Sequence, residues 1–174
     1  MAEDTAHPRR RSFRGQQPSV ADSAFVSEQS YLVGDVTVGE EASVWPFVCA
    51  RGEEEPVHIG DGTNVQEFTM LHGATLADRV GVGHSAVVDY ATVKSDSLVG
   101  IRSAVLRGAT VESGSLVAAG AVVRQGQTVP AGHLAYGVPA ETRPLTDDQR
   151  ALVEDVQSHY VDLGREYKGE GHFE

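Results

Sequence analysis

Aliphatic residues recur at every sixth position through most of this 174-residue chain. Val26, Leu32, Val38 and Val44 begin the series. Ile59, Val65 and Leu71 resume it, followed by Leu76, Val82 and Val88, then Val93, Val99, Val105, Val111, Val117, Val123 and Val129. A glycine often follows, as in Val38-Gly39, Ile59-Gly60 and Val82-Gly83. A period of six fits neither an amphipathic helix nor a strand that alternates every second residue. It predicts an all-β solenoid, a parallel β-helix of hexapeptide repeats whose coils have three flat faces, each directing one aliphatic inward. The steps from Leu71 to Leu76 and from Val88 to Val93 fall one residue short, so local distortions are expected there.

The rhythm divides the chain. Residues 1–17 read as a polar arm, 18–135 as the β-helix, and 136–174 as a C-terminal turn, helix and tail. Residues 51–58 interrupt the repeat as an excursion carrying Glu53, Glu54 and Glu55. Pro139 ends the coil pattern. Thr146, ahead of Asp147 and Asp148, predicts a helix N-terminus. Leu152, Val156, His159, Leu163 and Tyr167 then follow helical spacing through about Lys168, with Gly164 as an interruption. That stripe is expected to cover a face of the solenoid or a neighbouring subunit.

Composition narrows the partners. Nineteen glycines against five Phe, five Tyr and one Trp suit tight corners and slim aliphatic stacks. No run of about 18 apolar residues predicts a membrane span, and the Arg-rich start lacks the apolar stretch of a secretory signal. The lone Cys49 excludes an intramolecular disulfide and a Cys-based metal cage, and suits a reducing, cytoplasmic setting. A net charge of −11 argues against nucleic acid as a partner. Lys94 and Lys168 are the only lysines, and such an acidic, lysine-poor surface is expected of a halophilic protein, whose self-repulsion high salt screens.

Candidate chemistry follows from the same period. His72 follows the inward Leu71 and Asp89 follows the inward Val88, one full coil later, so the two should stack. Adjacent coils lie about 4.8 Å apart, within reach of one ion. His84 follows Val82 by two residues, one face earlier, and should point away from that pair. Three prisms packed side by side would bring His84 of one copy to His72 and Asp89 of the next. Two histidines and a carboxylate with an open position suit zinc or non-haem iron.

The stretches GDVTVGEEASVWPFVCARGE, IGDGTNVQEFTMLHG, VGVGHSAVVDYATV and YGVPAETRPLT resemble the γ-class carbonic anhydrase-like hexapeptide proteins over about residues 18–168. The resemblance implies a left-handed parallel β-helix with a C-terminal α-helix, assembled as a homotrimer with zinc, or iron or cobalt, at its interfaces. It implies reversible hydration of CO2 to bicarbonate, where a water held by three histidines becomes the attacking hydroxide. By position, His72 and His84 match the first two metal histidines, while Asp89 stands at the third, where the family has Leu-His-Gly and this chain Val88-Asp89-Tyr90. Arg51 and Glu53 match the trimer-interface turn. Gln66 matches the glutamine near the bound water, Asn64 its neighbour, and Glu67 the acid that follows. Glu54 falls where some active members carry a carboxylate, and Glu54 or Glu53 would assist proton transfer.

A carboxylate in place of a neutral imidazole lowers the charge at the ion by one unit, which weakens its pull on bound water and predicts reduced hydration activity. Three readings follow: a carbonic anhydrase-like lyase, a non-catalytic trimeric scaffold or assembly protein of the same family, and a hexapeptide acyltransferase. Gly137-Val138-Pro139-Ala140 resembles the acyltransferases' C-terminal turn, whereas the Arg-Gly-acid block fits the first family better.

Overall fold

The computed structural model describes residues 10–170; the N-terminal part of the 1–17 arm and the last four residues of the tail lie outside the described residues. Its core is the predicted parallel β-solenoid. Every aliphatic of the six-residue series is buried in one continuous cluster, with Leu71, Val88 and Val105 wholly inaccessible. Burying a Val or Leu side chain is worth about 1.5–3 kcal/mol, so a column of them down each face sets the register of the coils.

The three faces follow one another along the chain. The first contains Phe25–Val26, Ser43–Val44, Asn64–Val65, Gly81–Val82, Leu98–Val99, Leu116–Val117 and His133–Tyr136, one per coil, with Glu141–Pro144 added antiparallel at the end. The second contains Met70–His72, Val87–Asp89, Ala104–Val105 and Val122–Val123, and the third Thr75–Leu76, Thr92–Val93, Thr110–Val111 and Thr128–Val129. Two long strands, Tyr31–Val38 and Cys49–Ile59, run through the corner between the second and third faces and join them into one twelve-stranded sheet.

The excursion expected at 51–58 is a bulge set within a long strand. Cys49–Ile59 stays paired with Tyr31–Val38, and the pairing slips between Gly34 and Val36, where residues 53–56 bulge outward opposite Asp35. Gly52 permits the close approach: a Cβ there would sit 2.0 Å from the Asp35 carbonyl oxygen. At the other end of the sheet, Arg10–Arg11 pairs with Leu32–Val33, so this part of the arm adds a strand to the solenoid.

The five-residue steps do mark distinct corners. His72-Gly73 and Asp89-Tyr90 lie one above the other, and both Gly73 and Tyr90 take left-handed backbone, φ 51° and 48°.

Helix α1 (Asp147–Gly169) opens on a capping box between Thr146 and Gln149. It lies along the first face, over Phe25, Ser43, Asn64 and Gly81. Leu98, Leu116, Leu134, Leu145 and Val153 form a second small core beneath its N-terminal half. Trp45 packs against Tyr160 and Tyr167 near its other end. The buried positions are Val153, Gln157 and Gly164, so the stripe is rotated from the one expected: Leu152 and His159 face outward. Gly164 does not interrupt the helix; it lets the helix rest on Ser43 and Phe25. Among the described residues no helix is long and apolar enough to cross a membrane.

Candidate functional site

At the corner between the second and third faces, strand register stacks Arg51, His72 and Asp89 in successive coils. Each follows a buried residue, Ala50, Leu71 or Val88, which turns its own side chain outward. His72 Nδ1 lies 2.9 Å from Asp89 Oδ1. A carboxylate only accepts, so Nδ1 is the protonated nitrogen of this contact, and Nε2 remains the outer nitrogen of the ring. Nε2 lies 3.2 Å from the Tyr90 hydroxyl, which is also 3.2 Å from Glu54 Oε2. The Tyr90 ring meets His72 edge-on at 4.5 Å between centroids, and the Arg107 guanidinium carbon sits 3.6 Å from the Tyr90 ring centroid. Burial first, and then the neighbouring Glu54 carboxylate, hold the Tyr90 phenol above its ordinary range. Arg51 donates to Glu53 within the same chain, and this contact holds the Glu53 carboxyl below the usual carboxylate range.

The opposite edge of the second face carries His84. Its Nδ1 lies 2.7 Å from Glu67 Oε2, one coil away. Gln66 is buried beside them and donates through Nε2 to Asn64 Oδ1 at 3.1 Å; Asn64 Nδ2 has no partner and is buried on the first face, which α1 covers. Tyr160 of α1 closes on this edge, its phenol pushed up by burial and by the charge of Glu67. Phe47 and Phe68 stack at 5.0 Å on the same corner, 51% and 63% exposed, both in left-handed backbone.

The sequence-predicted residues thus divide between two edges. His72, Asp89, Arg51, Glu53 and Glu54 share one; His84, Gln66, Glu67 and Asn64 gather near the other. Among the described residues, no three His, Cys, Asp or Glu side chains of one chain come together around an ion. The donor chemistry still fits zinc, iron or cobalt, since imidazole nitrogen suits these ions and an Nδ1–H held by a carboxylate leaves Nε2 to ligate. Burial raises the Cys49 thiol pKa, which keeps it a poor nucleophile.

No protein-family model matches the chain. A carbonic anhydrase from Geobacillus kaustophilus is 40% identical over 90% of this chain and 89% of its own length. The mitochondrial gamma carbonic anhydrase 2 of Arabidopsis thaliana is 33% identical over 89% of this chain and 60% of its own. The chain belongs to the γ-carbonic anhydrase-like family of hexapeptide-repeat proteins. The crystal structure of a hexapeptide transferase family protein from Anaplasma phagocytophilum shares the fold at a TM-score of 0.86 and 30% identity, covering 91% of this chain and 97% of that one. Against the γ-carbonic anhydrase-like pattern, the sequence shows the departure at Val88-Asp89-Tyr90, but sequence reasoning gives no role to Tyr90 or Arg107. The signal was present in the repeat: the left-handed corner residue is Gly73 in the preceding coil and Gly108 and Gly126 in the following ones, yet Tyr90 here.

Proposed function

We propose that this chain is a metal-dependent carbonic anhydrase-like protein whose sites form between copies in a homotrimer, with CO2 and bicarbonate as substrate and product. The observation that carries the reading is the division of the histidines, His72 on one edge of the second face and His84 on the other. One chain cannot close the site; a neighbour presenting the opposite edge can.

The surface supports that assembly. Outward positions of the second face are Cys49, Met70, Val87, Ala104 and Val122, an apolar and uncovered strip. The first face is covered by α1, and the third presents Thr75, Thr92, Thr110 and Thr128. Unpartnered apolar strips flanked by polar edges mark protein–protein contacts. Phe47 and Phe68 extend the strip beside His84.

His72 of one copy and His84 of the next would hold zinc, iron or cobalt, while Asp89, at the third family position, is turned to His72 Nδ1 and would act on the ion through that histidine. Bound there, the ion would supply the charge that makes a water acidic near neutral pH. Asp89 holds the tautomer of His72 that leaves Nε2 outward. Gln66, whose amide donates to Asn64, would orient water, and Glu54 would take a proton.

Elemental analysis of protein prepared without added metal, together with stopped-flow CO2 hydration, tests this. The expected result is about one transition metal per chain and a hydration rate lost in His72→Ala and His84→Ala. Metal absent and not restored by zinc, iron or cobalt sinks the lyase reading and favours the scaffold one, which has its own support in the pairing of both His72 nitrogens within a single chain. The acyltransferase reading draws on the Gly137–Ala140 turn and on the names of relatives, a Bacillus subtilis protein named an uncharacterized transferase at 43% identity and a Bacillus cereus structure described as a putative acetyltransferase at 34%, and no side-chain geometry described above favours it.

A further inference from the structure

We infer that Tyr90 is a cap over the ligand nitrogen of His72, which metal must displace to bind. This rests on His72 being a metal ligand, and it concerns a residue for which the family pattern has glycine.

Five contacts fix the cap. The hydroxyl lies 3.2 Å from both His72 Nε2 and Glu54 Oε2; with Nδ1–H turned to Asp89, the cap gives its single proton to Nε2 and leaves Glu54 as the competing acceptor. The ring edge packs on the imidazole, and Arg107 stacks on its face at 3.6 Å. The backbone N–H donates to the His72 carbonyl at 2.7 Å, so the left-handed turn that aims the ring is tied to the histidine it covers. Gly73 beneath leaves the space, since a Cβ there would come within 2.8 Å of the Tyr90 ring.

Asp89 and Tyr90 act on opposite sides of one ring. Asp89 orders the imidazole so that Nε2 is the nitrogen presented, and Tyr90 occupies that nitrogen with a hydroxyl of the same chain. A bare imidazole nitrogen is open to any borderline dication that reaches it, whereas a capped one admits only an ion whose other ligands offset the lost hydrogen bond. A lone chain, holding His72 without the partner's His84, would keep the cap closed. The assembled site would open it.

The test is zinc affinity, measured on the full chain by competition with a chromophoric chelator, for the parent, Tyr90→Phe, Tyr90→Gly and His72→Ala. Tyr90→Phe keeps the ring and loses only the hydroxyl; one neutral hydrogen bond is worth about 1 kcal/mol, so roughly five- to tenfold tighter binding is expected. Tyr90→Gly, carrying the residue of the adjacent corners, should bind at least as tightly. In the metal-free protein, the 15N signal of His72 Nε2 should move in Tyr90→Phe while Nδ1 stays protonated. If His72→Ala abolishes binding but Tyr90→Phe binds no more tightly than the parent, the cap is wrong and the metal reading stands. Zinc binding indifferent to His72→Ala overturns both.

Discussion

His72 illustrates how a corner side chain is defined by the coils above and below it rather than by its neighbours in sequence. Asp89 reaches its Nδ1 and Tyr90 its Nε2 because a 17-residue coil stacks residue 89 over residue 72. That stacking was legible from the repeat, because Leu71 and Val88 are fixed inside. The Glu67–His84 contact has the same offset and was equally open to inspection. Tyr90 was not visible in the hydrophobic pattern, because outward corner positions obey no hydrophobic period. Restoring the family pair separates the two effects. Asp89→His alone should raise CO2 hydration only modestly, since the phenol remains in place; Asp89→His with Tyr90→Gly should raise it at least about tenfold over the parent by stopped flow, with the two changes more than additive, as expected for residues sharing one partner. Phe47 and Phe68 make a different point. Each holds a bulky side chain in left-handed backbone, which costs on the order of 1 kcal/mol relative to a residue suited to it. Phe68→Asn should therefore preserve or raise the thermal stability of the isolated chain while weakening its self-association in sedimentation experiments; unchanged association would remove this corner from the interface.

At the scale of elements, what the sequence disclosed depended on whether burial was done by aliphatic residues. The coils were legible because each face buries one Val, Leu or Ile. Helix α1 was legible at its start, where Thr146 and Gln149 close a capping box, but its buried face was misread. Gln157 and Gly164 sit on that face, and neither carries the apolar signal; Gln157 is held there by the Ser97 carbonyl, and Gly164 by its fit against Ser43. The break in the repeat at 51–58 was legible, but not that its flanks stay on one strand: Gly52 and Val57 pair with Gly34 and Val36, and the three glutamates bulge between them. Gly164→Val tests the helix contact. Its Cβ would fall 3.2 Å from Ser43 Cβ, and the further methyls should cost about 1–3 kcal/mol through overpacking, read as a lower Tm with the solenoid's β signal retained. An unchanged Tm would mean that the helix rides above the face without close contact.

For the whole molecule, charge and architecture pull in different directions. A net charge of −11 on a slim prism favours self-repulsion, and raising salt from about 0.1 to 1 M shortens the screening length from about 10 to 3 Å. Tm should rise over that range; a fall would show that ion pairs such as Arg79–Asp96 and Arg165–Glu41 outweigh the repulsion. The lengthwise placement of α1 has a further consequence. Solenoids are open-ended stacks in which a coil can be gained or lost with little penalty elsewhere. Here a helix of 23 residues, about 34 Å long, starts just after Leu145 beside the last coils and reaches Lys168, whose ammonium is bonded to the Ala24 carbonyl in the first. Coils stack at about 4.8 Å, so one more would need roughly three more helical residues to keep both ends engaged. The helix is a ruler, and it sets how tall this stack can be.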